Sequence, residues 1–479
     1  MTNVIWQPQP KQAAFMQRWE DEALYGGAAG GGKSDTLLAE ALRQVHIPHY
    51  RGILFRKTYP ELADLIDRSG EIYKAAFPKA KYNDSKHVWI FPSGAKIQFG
   101  NMQHRKDRVK YQGRHFDYVG FDELTHFTWD EYSYMISRNR PNGPGTLCYM
   151  RGGTNPGGIG HGWVKQRFVQ PFRDGMRTMV EKVSYINENG EKIVVPKTRI
   201  FVPSTVFDNK KLTCYDPTYI ARLASMSQKE RDALLYGSWD MFDGQVFMEW
   251  RDYPEHYRDR KWTHVIEPFD IPLGFEIIRS LDWGYSKPFS VGWYAADFDG
   301  RIYRIRELYG CTGTPDTGVK WEPHQVAKKI REIENTDPNL KGHRIFGIAD
   351  PAIFSKSAGP SIADDMAQYQ IYFRPGSHDR IQGKMQCHYR FAFDNDGRPM
   401  FYVFNTCKHF IRTVPSLVYS ETDVEDVDTR QEDHIYDEFR YCMMEKPIST
   451  RIDTLTSETI RGLDPFDLYR RKNDDRGKY

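Results

Sequence analysis

Gly27-Ala-Ala-Gly-Gly-Gly-Lys33-Ser34 decides how the rest of the chain is read. Its spacing, Gly-x-x-x-x-Gly-Lys-Ser, is that of a loop that cradles phosphates. Gly27, Gly30 and Gly32 let successive backbone N–H groups turn inward around phosphate oxygens with no Cβ in the way. Lys33 is expected against the β- and γ-phosphates of ATP, and the Ser34 hydroxyl on its Mg²⁺. The flanks agree with this. Residues 22–26 read as a short strand. Leu38, Ala41, Leu42 and Val45 recur at helical spacing, so a helix N-terminus would face the anion. A Gly-rich surface turn is the plain alternative, and it leaves strand, Lys-Ser and helix in register unexplained.

Phe116-Asp-Tyr-Val-Gly-Phe-Asp122-Glu123 is the second deciding stretch. A mostly apolar strand, interrupted by Gly120, ends in two carboxylates. Asp122 is the candidate for the Mg²⁺ shell, and Glu123 the candidate base for the attacking water. An acidic surface turn is the other reading of this piece alone. Another strand, over residues 147–150, leads toward Thr154-Asn155-Pro156, where a hydroxyl and an amide would lie beside the γ-phosphate. A plain Gly/Pro turn competes there. Near the N-terminus, Gln12 has two readings, a hydrogen bond to an adenine edge or a solvated arm. Arg138 and Arg140 are candidates for an arginine finger, since the loop carries no cation besides Lys33. A solvated helix-face arginine is the commoner role. Before these, residues 52–58 form an apolar strand ending in basic and hydroxyl residues, and a helix is expected over 61–77. Residues 88–91 and 95–99 flank Pro-Ser-Gly as a hairpin, and Asn189-Gly190 between residues 183–186 and 192–195 turns a second one, read as a decoration near the domain edge.

The totals set the outer limits. A chain of 479 residues suggests about two to four domains by length alone, and 39% hydrophobic with 14% aromatic residues is enough for packed cores. No apolar run is long enough to span a bilayer, and no leader is evident, so a soluble, cytoplasmic protein is expected. Cysteines 148, 214, 311, 387, 407 and 442 include no Cys-x-x-Cys pair, which argues against a zinc ribbon or a disulfide framework. The net charge of +3 neither demands nor excludes nucleic acid.

The second half carries a different pattern. Residues 251–267 are polar and aperiodic and read as a linker. Three strand candidates follow, over 276–284, 290–295 and 302–308, joined by short turns as an antiparallel meander. A helix over 322–333 then leads to a strand that ends at Asp350. Much later Asp433-His-Ile-Tyr-Asp437 puts two carboxylates on one helix face. Meander, helix, strand and acidic helix is the order of an RNase H-like fold. Asp282, Asp350 and Asp437 with Asp433 are the candidate ligands for two Mg²⁺ or Mn²⁺ ions about 4 Å apart, which would activate water against a phosphodiester. Any one of these aspartates alone reads equally well as a strand-end or helix-surface residue. Glu307 is a spare carboxylate of structural type. Arg374, His378, Arg380 and Lys384 are read either as phosphate contacts or as a solvated loop.

The phosphate loop, Tyr111-Gln-Gly113, the strand ending at Glu123, Gly153-Thr-Asn-Pro156, Phe207-Asp-Asn209 and Leu235-Tyr-Gly-Ser-Trp239 together resemble the ATPase half of the large terminase subunits of tailed bacteriophages. Ser238 departs from the Asp usual before that Trp. The later order of Asp282, Asp350 and Asp433-His-x-x-Asp437 resembles their nuclease half. The resemblance implies an α/β chain of two domains. An N-terminal P-loop ATPase with a parallel-core sheet flanked by helices is expected over 1–250, then a linker over 251–270. An RNase H-like nuclease follows over 271–449, and a tail over 450–479. It further implies ATP-driven translocation of double-stranded DNA into a procapsid and cutting of concatemers. The implied partners are the portal protein, a small terminase subunit and a homo-oligomeric ring, in the host cytoplasm and away from membranes. A helicase-like or repair ATPase whose second half only grips DNA is the alternative, and a capsid scaffold a more distant one.

Overall fold

The computed structural model describes residues 4–226, 228–240, 242, 244–356, 360–420, 423 and 425–448, and the expected tail over 450–479 lies outside them. The described residues are organised by one nine-stranded and one seven-stranded sheet. No helix among them is long and apolar enough to cross a membrane.

The first sheet runs in the order β3 (Lys81–Asn83), β4 (Val88–Ile90), β5 (Lys96–Asn101), β2 (Arg51–Arg56), β6 (Tyr118–Asp122), β7 (Tyr149–Thr154), β1 (Glu22–Gly27), β9 (Lys192–Ser204), β8 (Met179–Ile186). From β5 through β9 every pairing is parallel, so these strands end on one edge, where ligands of open α/β sheets bind. Helix α1 (Pro10–Met16) precedes the sheet. Alternate residues of each strand feed two cores. Leu54 packs with Leu37 and Leu38 of α2 (Lys33–Ala41) and Leu62 and Leu65 of α3 (Tyr59–Ala76). Ile53 and Phe55 pack with Trp129 and Tyr132 of α4 (Trp129–Ile136). Burial on both faces explains why the strands read as apolar runs. Local chemistry sets the helix starts. Thr58 accepts from the Glu61 N–H at the head of α3, and Thr128 with Glu131 forms a capping box on α4.

The second sheet has the order β10 (Val265–Ile266), β16 (Phe401–Phe404), β13 (Ile302–Tyr309), β12 (Ser290–Ala296), β11 (Glu276–Asp282), β14 (Ile345–Ala349), β15 (Arg374–Pro375). Strands β11, β12 and β13 form the expected antiparallel meander. Helix α5 (Pro323–Thr336) then carries the chain to β14, parallel to β11. After α6 (Arg380–Phe391) and α7 (Lys408–Thr413), α8 (His434–Glu445) packs back on β11, where Ser280 Oγ donates to the Glu438 carbonyl at 2.7 Å. This is the RNase H-like order.

Three expectations are corrected. The strand placed at 147–150 begins at Tyr149 and continues through Thr154, because Gly152 and Gly153 let it pass close against Leu124 and Lys33. The hairpin turning at Asn189-Gly190 is more than an edge decoration, since its second strand pairs directly with β1. The stretch read as a linker is folded. Val265 and Ile266 pair with β16, and Val246, Phe247 and Trp250, assigned by sequence to the first domain, are buried in the second core.

Candidate functional site

Two polar centres lie at the strand ends of the two sheets. At the first, the phosphate loop leaves β1 with Gly27, Gly30 and Gly32 at φ +127°, +73° and +72°. At Gly32 the positive φ disfavours any side chain, and a Cβ would stand 2.6 Å from the Gln12 amide nitrogen, which would have to move. Gln12 is buried and donates to the Gly32 carbonyl at 3.0 Å, which brings the adenine candidate to the loop. Asn209 donates to the Gly30 carbonyl at 2.7 Å.

Lys33 is buried at the start of α2, where its ammonium donates to the Ala28 carbonyl at 2.6 Å and to Asn155 Oδ1 at 2.8 Å. Burial lowers its pKa, against the pull of Glu123 and Asp122. Asp122, fully buried at the end of β6, accepts from Ser34 Oγ at 3.2 Å. Glu123 follows in the left-handed region at φ +53°, a strained conformation for glutamate. Burial and then Asp122 raise its pKa, while Lys33 opposes them. Thr154 Oγ1 lies 2.8 Å from Thr125 Oγ1, which donates to the Asn155 carbonyl at 3.0 Å. The structure thus brings Gln12, Lys33, Ser34, Asp122, Glu123, Thr154 and Asn155 to one edge. Hard oxygens on Ser34 and Asp122 suit Mg²⁺.

Arg138 and Arg140 are not there. The Arg138 carbonyl accepts from the Phe116 N–H at 2.9 Å, before the start of β6 and so at the opposite end of the sheet. Neither reaches the loop of its own chain. The cation that does is Arg56, at the end of β2. Its Nε and Nη2 lie 2.8 and 2.7 Å from Asp122 Oδ2, and Nη2 is 3.5 Å from Ser34 Oγ. The sequence shows a basic end to this strand and gives no sign of that role.

At the second centre, Asp282 ends β11 and Asp350 follows β14, with the Asp350 N–H donating to the Leu281 carbonyl at 2.9 Å. Asp433 stands at the N-cap position of α8, without a side-chain capping hydrogen bond, and Asp437 lies in its first turn. Burial pushes the Asp282 carboxyl up to about 7, the hydrogen bond from His434 opposes this, and Asp437 and Asp350 add to it. Asp433 is raised well above the usual carboxylate range by burial and by Asp437. Such mutual repulsion among hard oxygen donors is the chemistry a divalent ion relieves. Yet no three His, Cys, Asp or Glu side chains among the described residues stand as a preformed ion cage, a departure from the expected two-ion cluster. The carboxylates are instead engaged by protein groups. Asp437 accepts from Arg380 at 2.8 Å and Arg440 at 3.3 Å, and Asp350 from the Ala352 N–H at 2.9 Å.

His434 was missed by sequence, although it stands inside the quoted motif. Its Nδ1 is 3.4 Å from Asp282 Oδ2 and its Nε2 3.2 Å from Asp316 Oδ1. Carboxylates at both nitrogens raise its pKa; burial opposes the charged ring, and Asp282 and Asp433 outweigh it. Lys287 pairs with the same Asp316. The basic cluster over 374–384 is not a free phosphate site. Arg374 pairs with Glu445, Arg380 with Asp426 and Asp437, and Lys384 with the Glu425 carbonyl. Glu307 accepts from the His409 and Phe410 N–H groups, at 2.7 and 3.1 Å, and so caps α7.

The chain matches the family model described as "Terminase large subunit, T4likevirus-type, N-terminal" over residues 24–249. No curated protein matches it. Among solved structures it is similar to the large terminase from a thermophilic bacteriophage in complex with ATP-γ-S, at 17% identity over 91% of this chain and 98% of that one, TM-score 0.38. It is also similar to the HK97 bacteriophage large terminase, at 10% identity over 92% and 95%, TM-score 0.45. For the P22 large terminase nuclease domain the figures are 18% identity over 42% and 92%, TM-score 0.32. The match over residues 24–249 contains the phosphate loop and both acidic residues at the end of β6, so this part of the chain is similar to the N-terminal part of large terminase subunits.

Proposed function

We propose that this chain is a DNA-packaging motor, hydrolysing ATP to move double-stranded DNA into a procapsid and cutting concatemers with a metal-dependent endonuclease. The observation that carries the reading is the pairing of two unlike polar centres on one polypeptide. One has a phosphate loop with a buried lysine and an acidic pair. The other gathers four aspartates at the ends of β11, β14 and α8.

In the first centre, Lys33 and the loop N–H groups would bind the phosphates and Gln12 the adenine, with Ser34 and Asp122 holding Mg²⁺. Glu123, with its raised pKa, would take a proton from water. Thr154 and Asn155 would report hydrolysis, since Asn155 shares Lys33 with the loop. Arg56 would balance Asp122 between turnovers, leaving Arg138 and Arg140 as fingers only toward a neighbouring subunit. In the second centre, Asp282, Asp350, Asp433 and Asp437 would hold Mg²⁺ or Mn²⁺. Bound ions there supply water activation and leaving-group stabilisation. The packing of Val246, Phe247 and Trp250 supports a domain division near residue 244 rather than 250. A homo-oligomeric ring, the portal protein, a small subunit and residence in the host cytoplasm complete the proposal.

The test is plasmid incubated with the full chain and Mn²⁺ in the absence of ATP. The packaging reading expects nicked and linear products, lost in Asp282→Ala. Uncut plasmid that is nonetheless bound would instead support a translocating ATPase whose second half only grips DNA.

A further inference from the structure

We infer that the first sheet carries, at the end remote from the phosphate loop, a groove for the sugar-phosphate backbone of duplex DNA. The inference rests on the packaging reading and adds to it where the ATPase half would hold its track. Strand register defines the groove. Arg51 of β2 pairs with Lys96 of β5, which pairs with Ile90 of β4, and two residues along Gln98 pairs with Val88. Paired residues share a face of a sheet, so these side chains form one surface. The opposite face, with Ile97 and Trp89, is closed by α3, where Trp89 Nε1 donates to Ser69 Oγ at 2.9 Å. The Arg51 surface has a wall instead of a lid, made by Arg114, His115, Phe116 and Asn142, and the space between is a groove of about 620 Å³.

Charge makes this groove unlike its surroundings. Arg51, Lys86, Lys96, Arg114 and His115 line it, and no carboxylate does. Asp117, next to the wall, is fully buried, and its oxygens are occupied by the N–H groups of Arg51 and Asn142 and the Asn142 amide. The Arg51 guanidinium donates to the carbonyls of Pro48, Tyr50 and Gly94, and Arg114 to Gln98 Oε1 at 2.7 Å. Basic side chains near the phosphate loop, by contrast, are neutralised: Arg56 by Asp122, Lys57 by Glu131. A chain of net charge only +3 therefore concentrates cations on one open surface. They come from β2, the β3–β4 turn, β5 and the loop before β6. Spread over four segments rather than converging on a point, they fit a row of phosphates better than a single nucleotide. Arg138 and Arg140 belong to this end as well, through the hydrogen bond of Arg138 with Phe116.

The test measures binding of the full chain to a labelled duplex in EDTA, which prevents cutting, from about 50 to about 200 mM salt. Two variants of equal charge change are compared. One is Lys86→Gln/Lys96→Gln/Arg114→Gln; the other is Lys182→Gln/Lys192→Gln/Lys341→Gln, three exposed lysines elsewhere. The groove variant is expected to bind roughly tenfold or more weakly, with the slope of log affinity against log salt reduced by about 0.9 for each phosphate it no longer neutralises. The control variant is expected to keep the wild-type slope. If the two variants behave alike, the groove is not the DNA site and its cations serve another partner, such as an acidic protein surface. If the wild type binds no duplex at the lowest salt, the packaging reading itself fails. Should the triple variant unfold, Lys86→Gln/Lys96→Gln, which leaves Arg114 and its hydrogen bond to Gln98 in place, decides instead.

Discussion

Arg56 and Asp122 form a buried pair at the heart of the first centre, with Asp122 at 0% and Arg56 at 17% side-chain exposure. Removing one partner of a buried pair leaves an uncompensated charge, at a cost of about 3–5 kcal/mol. Arg56→Ala is therefore expected to lower the unfolding free energy by an amount in that range, checked by equilibrium urea unfolding without nucleotide. An unchanged urea midpoint would show that Asp122 does not depend on Arg56. Two histidines make a second claim at this scale. His161 Nδ1 accepts from the Gly157 N–H at 3.0 Å and its Nε2 donates to the Trp239 carbonyl at 3.1 Å. His264 does the same between the Arg251 N–H and the Phe391 carbonyl. Both rings are thus neutral, and burial holds them down, to about 3 for His161 and about 4 for His264, from 6.5. With the folded values depressed, the unfolded chain binds more protons below 6.5, so stability rises with pH there. Their contribution is complete above about 6.5 and is lost as pH falls toward the folded values. Unfolding midpoints should drop from pH 7 to pH 5, and His161→Gln should flatten that drop; an equally steep profile in the variant would contradict the assignment.

Helix α8 delivers Asp433 and Asp437 to the second centre, and what fixes its register is buried beneath it. Glu438, the residue after Asp437, pairs with Arg304 of β13 at 2.7 Å, both side chains wholly inaccessible. Ser290 Oγ of β12 donates to the same carboxylate at 3.2 Å, and Tyr294 contacts the guanidinium. Ser280 of β11 holds the Glu438 carbonyl, so the helix is pinned to all three strands of the meander. Glu438→Ala is expected to cost about 3–5 kcal/mol, and adding Arg304→Met to recover much of it, because two matched apolar groups need no charge compensation. Urea unfolding of the two variants measures this. A double variant no more stable than the single would show that the pair is not the source of the cost.

At the scale of the whole molecule, one cleft is lined by residues of both halves of the chain. Lys57, next to Arg56, and Glu131 line it on one side, and Asp316, Lys287 and Glu432 on the other, around a volume of about 190 Å³. Arg412 spans it, donating to Gln166 at 3.0 Å and to Glu432 at 2.7 Å. Much of this plan was legible in the sequence wherever an apolar run ended in an uncommon residue. The phosphate loop, Asp122-Glu123, Asp282 and Asp350 all announce strand ends, because a carboxylate cannot continue a buried run. Side chains whose roles depend on tertiary neighbours were not legible. Arg56 reads like any basic strand end until Asp122 is beside it. Arg138 and Arg140 read as fingers until the chain direction of β6 puts them at the far edge. Val246, Phe247 and Trp250 carry no periodicity that says which core they join. The partnering of the second centre's aspartates by Arg380, Arg440 and His434 could not be read from spacing at all.

Whether the chain holds two separate centres is tested by comparing Lys33→Ala and Asp282→Ala side by side for ATP turnover and for Mn²⁺-dependent plasmid cutting. A crossed outcome is expected: Lys33→Ala loses ATP hydrolysis by at least about a hundredfold and still cuts, while Asp282→Ala hydrolyses ATP and does not cut. Loss of both activities in either folded variant, or cutting that survives Asp282→Ala, would contradict the existence of two separate centres.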